Sequence, residues 1–391
     1  MYKRQSLSFV FDSLFARLDD GFTVGISGKA LMNKGLLYAD GRIVMPKSDF
    51  EIKIDSFSID SKTFANLSIV GDKVDYNEIS RLLGAKILSG SGVSDLTIEH
   101  RDSLIYEGKF AFNGDLFGLK LATQKGHFTY DESSKSGIVK FDSGALWGAP
   151  MKYATFLFRV GKDTFHYKGI IKNLREFDLQ QFNVGNIRIS GDFHYSGFIE
   201  KKTRLALLSK NARILVDSRE IKDCQLLAQF EFYKNGRNEL FVDISSGLNR
   251  LVLKGTKTTD SSRMNLEISA GDFAGVIRLL GGGNVPLTGE VRGNASLTGA
   301  GSELKVNGKL ESDSLCISSL VIRDCDLPFS GEIKNGKPDI RLNFTAKNSA
   351  ISNKAVELIQ LTGNITGEGL LVRDLSIFAG ETRISLSLIH I

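Results

Sequence analysis

The 391-residue chain is 42% hydrophobic, holds 40 glycines against 5 prolines, and carries a formal charge of +5. That apolar content excludes intrinsic disorder, and glycine without proline fits many tight turns better than a collagen-like chain. The charge is spread along the sequence without a block of one sign, which argues against a nucleic-acid partner.

The two ends stand apart from what lies between them. MYKRQ (1–5) and LSLIHI (386–391) match translations of the two strands of one short transposase-end DNA element used to build sequencing libraries. The expectation is that natural sequence runs from about Ser6 to Ser385 and is an internal piece of a longer protein. Nothing about a leader or a membrane anchor then follows from the first residues.

Taken in order, Phe22, Val24 and Ile26 alternate up to Gly28. Ile52 and Ile54, then Phe57 and Ile59, alternate with the register shifted by one at Asp55-Ser56. A period of two places successive side chains on opposite faces, so each such run is a strand with one apolar side. The pattern changes at DYNEISRLLG, where Ile79, Leu82 and Leu83 before Gly84 predict a short helix near 75–84. Strands resume with Tyr106, Gly108, Phe110 and Phe112, then Phe117, Leu119 and Leu121, and further runs at 127–130, 137–141 and 153–160.

Ile187, Ile189, Phe193 and Tyr195 alternate with Gly191 in register, while Leu205–Val216 fits a helix or a strand. Leu240, Val242 and Ile244, then Leu251 and Leu253, then Met264, Leu266 and Ile268 continue the alternation. A second helix is predicted near 271–281; its RLLG (278–281) echoes the RLLG of Arg81–Gly84.

The clearest stretch is Pro286–Phe344. Leu287, Val291, Ala295 and Leu297 hold odd positions; Leu304, Val306 and Leu310, and later Ile340, Leu342 and Phe344, hold even ones. Gly299–Ser302 and Asn335-Gly336-Lys337-Pro338 separate these runs with hairpin chemistry. The predicted architecture is all-β: a long twisted antiparallel sheet curled into an open apolar groove, with a few short helices. Helix is too scarce to cover the apolar side, so the sheet must close, pair with another, or curl around something apolar. Between the terminal pieces 1–5 and 386–391, segment 6–264 reads as β-rich groove and 265–385 as a β-repeat segment.

Catalytic chemistry finds no foothold. GEIKNGKP (331–338) has phosphate-loop spacing, but Pro338 replaces the Ser or Thr that would meet magnesium and a strand follows, so it reads as a hairpin. His100, His127, His166 and His194 lie far apart without metal-ligand spacing. Cys224, Cys316 and Cys325 form no disulfide framework; Cys316 and Cys325 could pair across a hairpin, but free thiols are the expectation. The chain is therefore read as a non-enzyme, with no cofactor and no metal. The 26 phenylalanines, mostly in alternating runs, fit either a packed sandwich core or an apolar gutter for acyl chains.

Val285–Ile333, with its "G-x-(apolar)-x-G-x-(apolar)-x-(apolar)" strand and its later "L-x-I" strand pair, resembles the repeats of the AsmA-like superfamily, the TamB-like translocation and assembly module proteins among them. GDFAGVIRLLG before it and ITGEGLLVRDLSIFAGETRISLS (365–387) resemble the same family. The resemblance covers roughly 265–385 and is looser over 6–264. It implies a periplasmic β-groove anchored in the inner membrane by a missing N-terminal helix. It also implies phospholipid as cargo, an outer-membrane assembly protein as a possible partner, and a role in outer-membrane biogenesis. On this reading the groove is lined by Phe110, Phe112, Ile187, Ile189, Phe193, Val291, Leu297, Leu304, Val306, Leu342 and Phe344. The alternative is a surface adhesin or autotransporter-type structural β-protein that moves no lipid.

Overall fold

Alternation of apolar and polar residues builds strands here almost without interruption. The computed structural model describes residues 7–17, 23–58, 63–82, 88–100, 104–116, 119–178, 187–216, 219–258, 260–272, 287–300, 303–335 and 337–390. They form an open, antiparallel all-β sheet with a single helix, divided into two compact units.

The first unit, Met1–Phe198, holds β1 (Leu7–Arg17), β2 (Thr23–Asn33), β3 (Leu36–Val44), β4 (Asp49–Ser58), β5 (Thr63–Asp75), α1 (Tyr76–Leu82), β6 (Leu88–His100) and β7 (Leu104–Leu116). It continues with β8 (Leu119–Asp131), β9 (Ser136–Leu146), β10 (Ala149–Met151), β11 (Tyr153–Val160), β12 (Phe165–Asp178) and all but the last residue of β13 (Ile187–Ile199). The second unit, Ile199–Ile391, holds β14 (Lys202–Val216), β15 (Arg219–Tyr233), β16 (Asn238–Ser246), β17 (Asn249–Lys257), β18 (Ser262–Ala270), β19 (Leu287–Gly289) and β20 (Val291–Ala300). Then come β21 (Glu303–Ile317), β22 (Leu320–Lys334), β23 (Lys337–Ile351), β24 (Lys354–Thr366), β25 (Gly369–Ala379) and β26 (Thr382–His390).

Within each unit, strands next to each other in sequence pair in space, apart from local detours in which β11 reaches past β10 to β9 and β20 reaches past β19 to β18. Among the described residues β1 pairs only with β2 and β26 only with β25, so neither end of the strand series is joined into a barrel. GEIKNGKP is a hairpin, with Lys334 opposite Lys337 and Asn335 at a φ of 51°. The helix expected near 75–84 is α1; Asp75 caps it, its Oδ1 accepting the Asn77 amide at 2.9 Å. The helix expected near 271–281 falls outside the described residues beyond Asp272.

Bulges explain where the alternation slips. An inserted residue changes the parity of the sequence while the side chains keep to the same face. In β14 the buried positions run Leu207 (half-buried), Ser209, Ala212 and Ile214, with register shifts on both sides of Ala212. That gap of three imitates helical spacing and made Leu205–Val216 ambiguous; it is a strand. The step at Asp55-Ser56 is likewise a register shift inside one strand, β4.

Bulge amides need acceptors, and a neighbouring strand supplies them. Ser190 Oγ accepts from Glu176 N at 2.8 Å, Asp192 Oδ1 from Asn173 N at 2.8 Å, and Ser349 Oγ from Arg323 N at 3.2 Å. The Asn173 amide and then the Lys172 ammonium hold the Asp192 carboxyl below its ordinary range.

Candidate functional site

Register fixes which side chains share a face. In the second unit one apolar row can be followed from strand to strand: Leu207 faces Ala228, then Val242, Leu253, Leu266 and Ala295. It continues through Gly308, Phe329, Leu342, Gly363 and Val372. Eleven strands at a spacing of about 4.8 Å give this row a path of roughly 48 Å. Large residues stand opposite small ones: a Cβ on Gly308 would collide with the ring of Phe329.

The first unit builds its row from rings. Phe110 lies over Gly126 and Phe158 over Gly137, each leaving no room for a Cβ on its glycine. Tyr130 and Phe158 stack with centroids 5.9 Å apart and planes within 6°. Phe156 gathers Phe158, Phe165, Tyr167 and Tyr195 at 5.9 to 6.3 Å. The Tyr195 hydroxyl donates to Thr155 O at 2.5 Å, and burial raises its pKa.

Helix α1 rests on the same face at one end of the strands. Ile79 and Tyr76 pack on a cluster formed by Met45, Phe50 and Val74. The Tyr76 ring meets Phe112 edge-on at 5.1 Å, and burial pushes its phenol up to about 12. Buried Glu78 fastens the helix to the β3–β4 turn, its Oε1 accepting Lys47 N at 2.9 Å.

The opposite face is polar and carries ion pairs between strands. Arg250 grips Asp243 through two hydrogen bonds of 3.0 and 2.7 Å, holding that carboxyl below its ordinary range. A shallow depression of about 410 Å³ on this face is walled by Glu231, Glu239, Lys254 and Arg263. Leu240, Phe241 and Gly255 also border it.

The six expected lining residues of the second unit share one face. Leu297 faces Val306, Val306 faces Gly331, and Gly331 faces Ile340, which is in phase with Leu342 and Phe344; Leu304 and Val291 alternate in phase on their strands. Val291, Val306 and Leu342 are buried; Leu297, Leu304 and Phe344 are half-buried. In the first unit Phe110 and Phe112 share a face, and Phe193 is 1% exposed. Ile187 and Ile189 are half-buried beyond Gly191, whose φ of 143° breaks the step: Ser190 and Phe193, three apart, are the buried positions there. Alternation therefore does not carry from Ile189 to Phe193.

Sequence reasoning passed over the glycines that receive rings and the hydroxyls that serve the bulges. Glycine in phase with an aromatic on the next run was the available signal for the first. Nothing in one strand announces the second, because the hydroxyl and the bulge lie on different strands.

All three cysteines are free. Cys325 faces Ser312 and packs with Ile322 and Ala346, whereas Cys316 faces Val321 on the other side of the bulge at Asp324, so the two point to opposite faces. Among the described residues no group of three His, Cys, Asp or Glu side chains could hold a metal, and no helix is long and apolar enough to cross a membrane. No protein-family model matches the chain, and no curated protein matches it.

Proposed function

We propose that this chain carries phospholipid acyl chains along its apolar faces, as an AsmA/TamB-like protein supporting outer-membrane biogenesis. One observation carries the reading: a continuous apolar row on which, among the described residues, no second layer is packed. The elements that pack closely are neighbours along the sheet, and α1 is the one helix against it among the described residues. Along β23 the face stays apolar from Ile340 to Ala346, about 20 Å at ~3.4 Å per residue. One leaflet of hydrocarbon is about 15 Å deep, so a tail laid along a strand is covered over its length.

Each buried methylene contributes about 0.8 kcal/mol against water. A tail leaving a bilayer for this face exchanges one apolar surrounding for another, so the transfer is close to neutral and readily reversed. That suits a conduit. The reading places the protein in the periplasm, anchored in the inner membrane by a helix outside this sequence, with an outer-membrane assembly protein as a partner.

Extraction of fluorescent phospholipid from vesicles by the purified chain tests it. Leu304→Asp and Leu342→Asp should abolish uptake, while Lys305→Asp and Arg341→Asp on the polar face should retain it. Equal losses in both pairs, or none, would sink the proposal.

A further inference from the structure

In the second unit several turns carry cations. The β16–β17, β21–β22 and β23–β24 turns carry Ser246–Asn249, Ser318-Ser319 and Ser352-Asn353, and the same end holds Lys354 at the start of β24 and Arg219 at the start of β15. At the opposite end the β15–β16, β17–β18 and β22–β23 turns carry Lys234, Arg237, Lys257, Lys334 and Lys337. Arg237 and Lys334 are held by Glu239 and Glu332 at 2.6 and 2.7 Å. Lys234, Lys257 and Lys337 have no carboxylate partner among the described residues, although Asp260 shares the turn with Lys257.

Of these cations, Lys257 stands in register with the apolar face. The last row at this end runs Phe232, Asn238, Lys257, Ser262 and Gly299. The next row inward is apolar: Phe230, Leu240, Gly255, Met264 and Leu297. Phe232 is 45% exposed and Lys257 is exposed, so the row is open to solvent at the margin of the apolar surface. Ser262 Oγ donates to Gly299 O at 3.3 Å, a long bond that a better acceptor would displace.

We propose that this margin binds the anionic headgroup of a lipid whose tail lies inward over Gly255, Leu253 and Leu251. Lys257 supplies the unpaired cation, and Asn238 and Ser262 supply uncharged donors to phosphate oxygens. The assignment rests on the acyl-carrying reading and adds selectivity to it: a net negative lipid is taken in preference to a zwitterionic one.

The test offers the full chain vesicles containing fluorescent phosphatidylglycerol or phosphatidylcholine with identical tails and reads the ratio of uptake. One lysine near a phosphate layer is worth about 1 kcal/mol, so a ratio of about five is expected at low salt, falling as salt screens the charge. Lys257→Gln should bring the ratio to about one, and Lys305→Gln on the polar face should leave it unchanged. A wild-type ratio of one overturns the headgroup site while the acyl-carrying reading stands. A ratio that survives Lys257→Gln overturns the assignment to this margin. Uptake of neither lipid overturns both, and inhibition of both by millimolar inorganic phosphate makes this a free-phosphate site instead.

Discussion

The two units solve one problem with different side chains. Each presents an apolar face along antiparallel strands, but nineteen of the 26 phenylalanines lie at or before Phe198. The first unit therefore paves its face with rings stacked on rings and seated on glycines. The second uses Leu, Ile and Val in the same register, with Phe329 over Gly308 as an isolated case of ring on glycine. Rings have few rotamers and hold a fixed surface; aliphatic side chains rearrange at small cost. The first unit is built as a rigid wall and the second as an adaptable one.

That contrast can be broken by substitution, because the only tryptophan, Trp147, reports on the first unit. Its ring meets Phe177 edge-on at 5.9 Å. The largest effect is expected from Phe193→Ala, which empties a fully enclosed site and should lower stability by about 3–5 kcal/mol, moving the Trp147 fluorescence transition in denaturant. Gly308→Val forces a branched side chain against Phe329 and the Asn294 carbonyl, costing about 1–3 kcal/mol. It should shift the far-ultraviolet circular dichroism transition while leaving the Trp147 signal in place. A shared shift would mean that the units unfold as one and that the contrast is only one of composition.

The smallest effect concerns thiols and sharpens the picture within the second unit. Cys325 is buried on the apolar face, and burial pushes its thiol up to about 11; Cys224 is fully buried and also raised by burial. Cys325 therefore stays protonated, hence a poor nucleophile, from pH 7 to 9. Maleimide should therefore label half-buried Cys316 first, and mass spectrometry of digested protein should find Cys325 modified only after denaturation. Early labelling of Cys325 would mean that the aliphatic face opens readily to water.

Much of the sheet was legible because alternation is a local signal. Leu240–Ile244, Leu251–Leu253 and Met264–Ile268 each declare their own face, and the pairings that join them are hairpins. What stayed hidden depends on two strands at once. The bulge at Ser209–Ala212 mimics helical spacing until β15 is set beside it. Gly191 breaks phase between Ile189 and Phe193 through backbone conformation, which residue identity alone does not reveal. The polar margin at Lys257 becomes visible only when Phe232, Asn238 and Ser262 are aligned beside it.

Because close packing within each unit runs mainly between neighbouring strands, each unit is nearly a one-dimensional lattice, whose stability is a sum over links rather than a property of a central core. Length then becomes a free parameter. Inserting one hairpin adds about 9.6 Å of apolar path and leaves every other link unchanged. A chain of this kind can be lengthened by duplicating a hairpin.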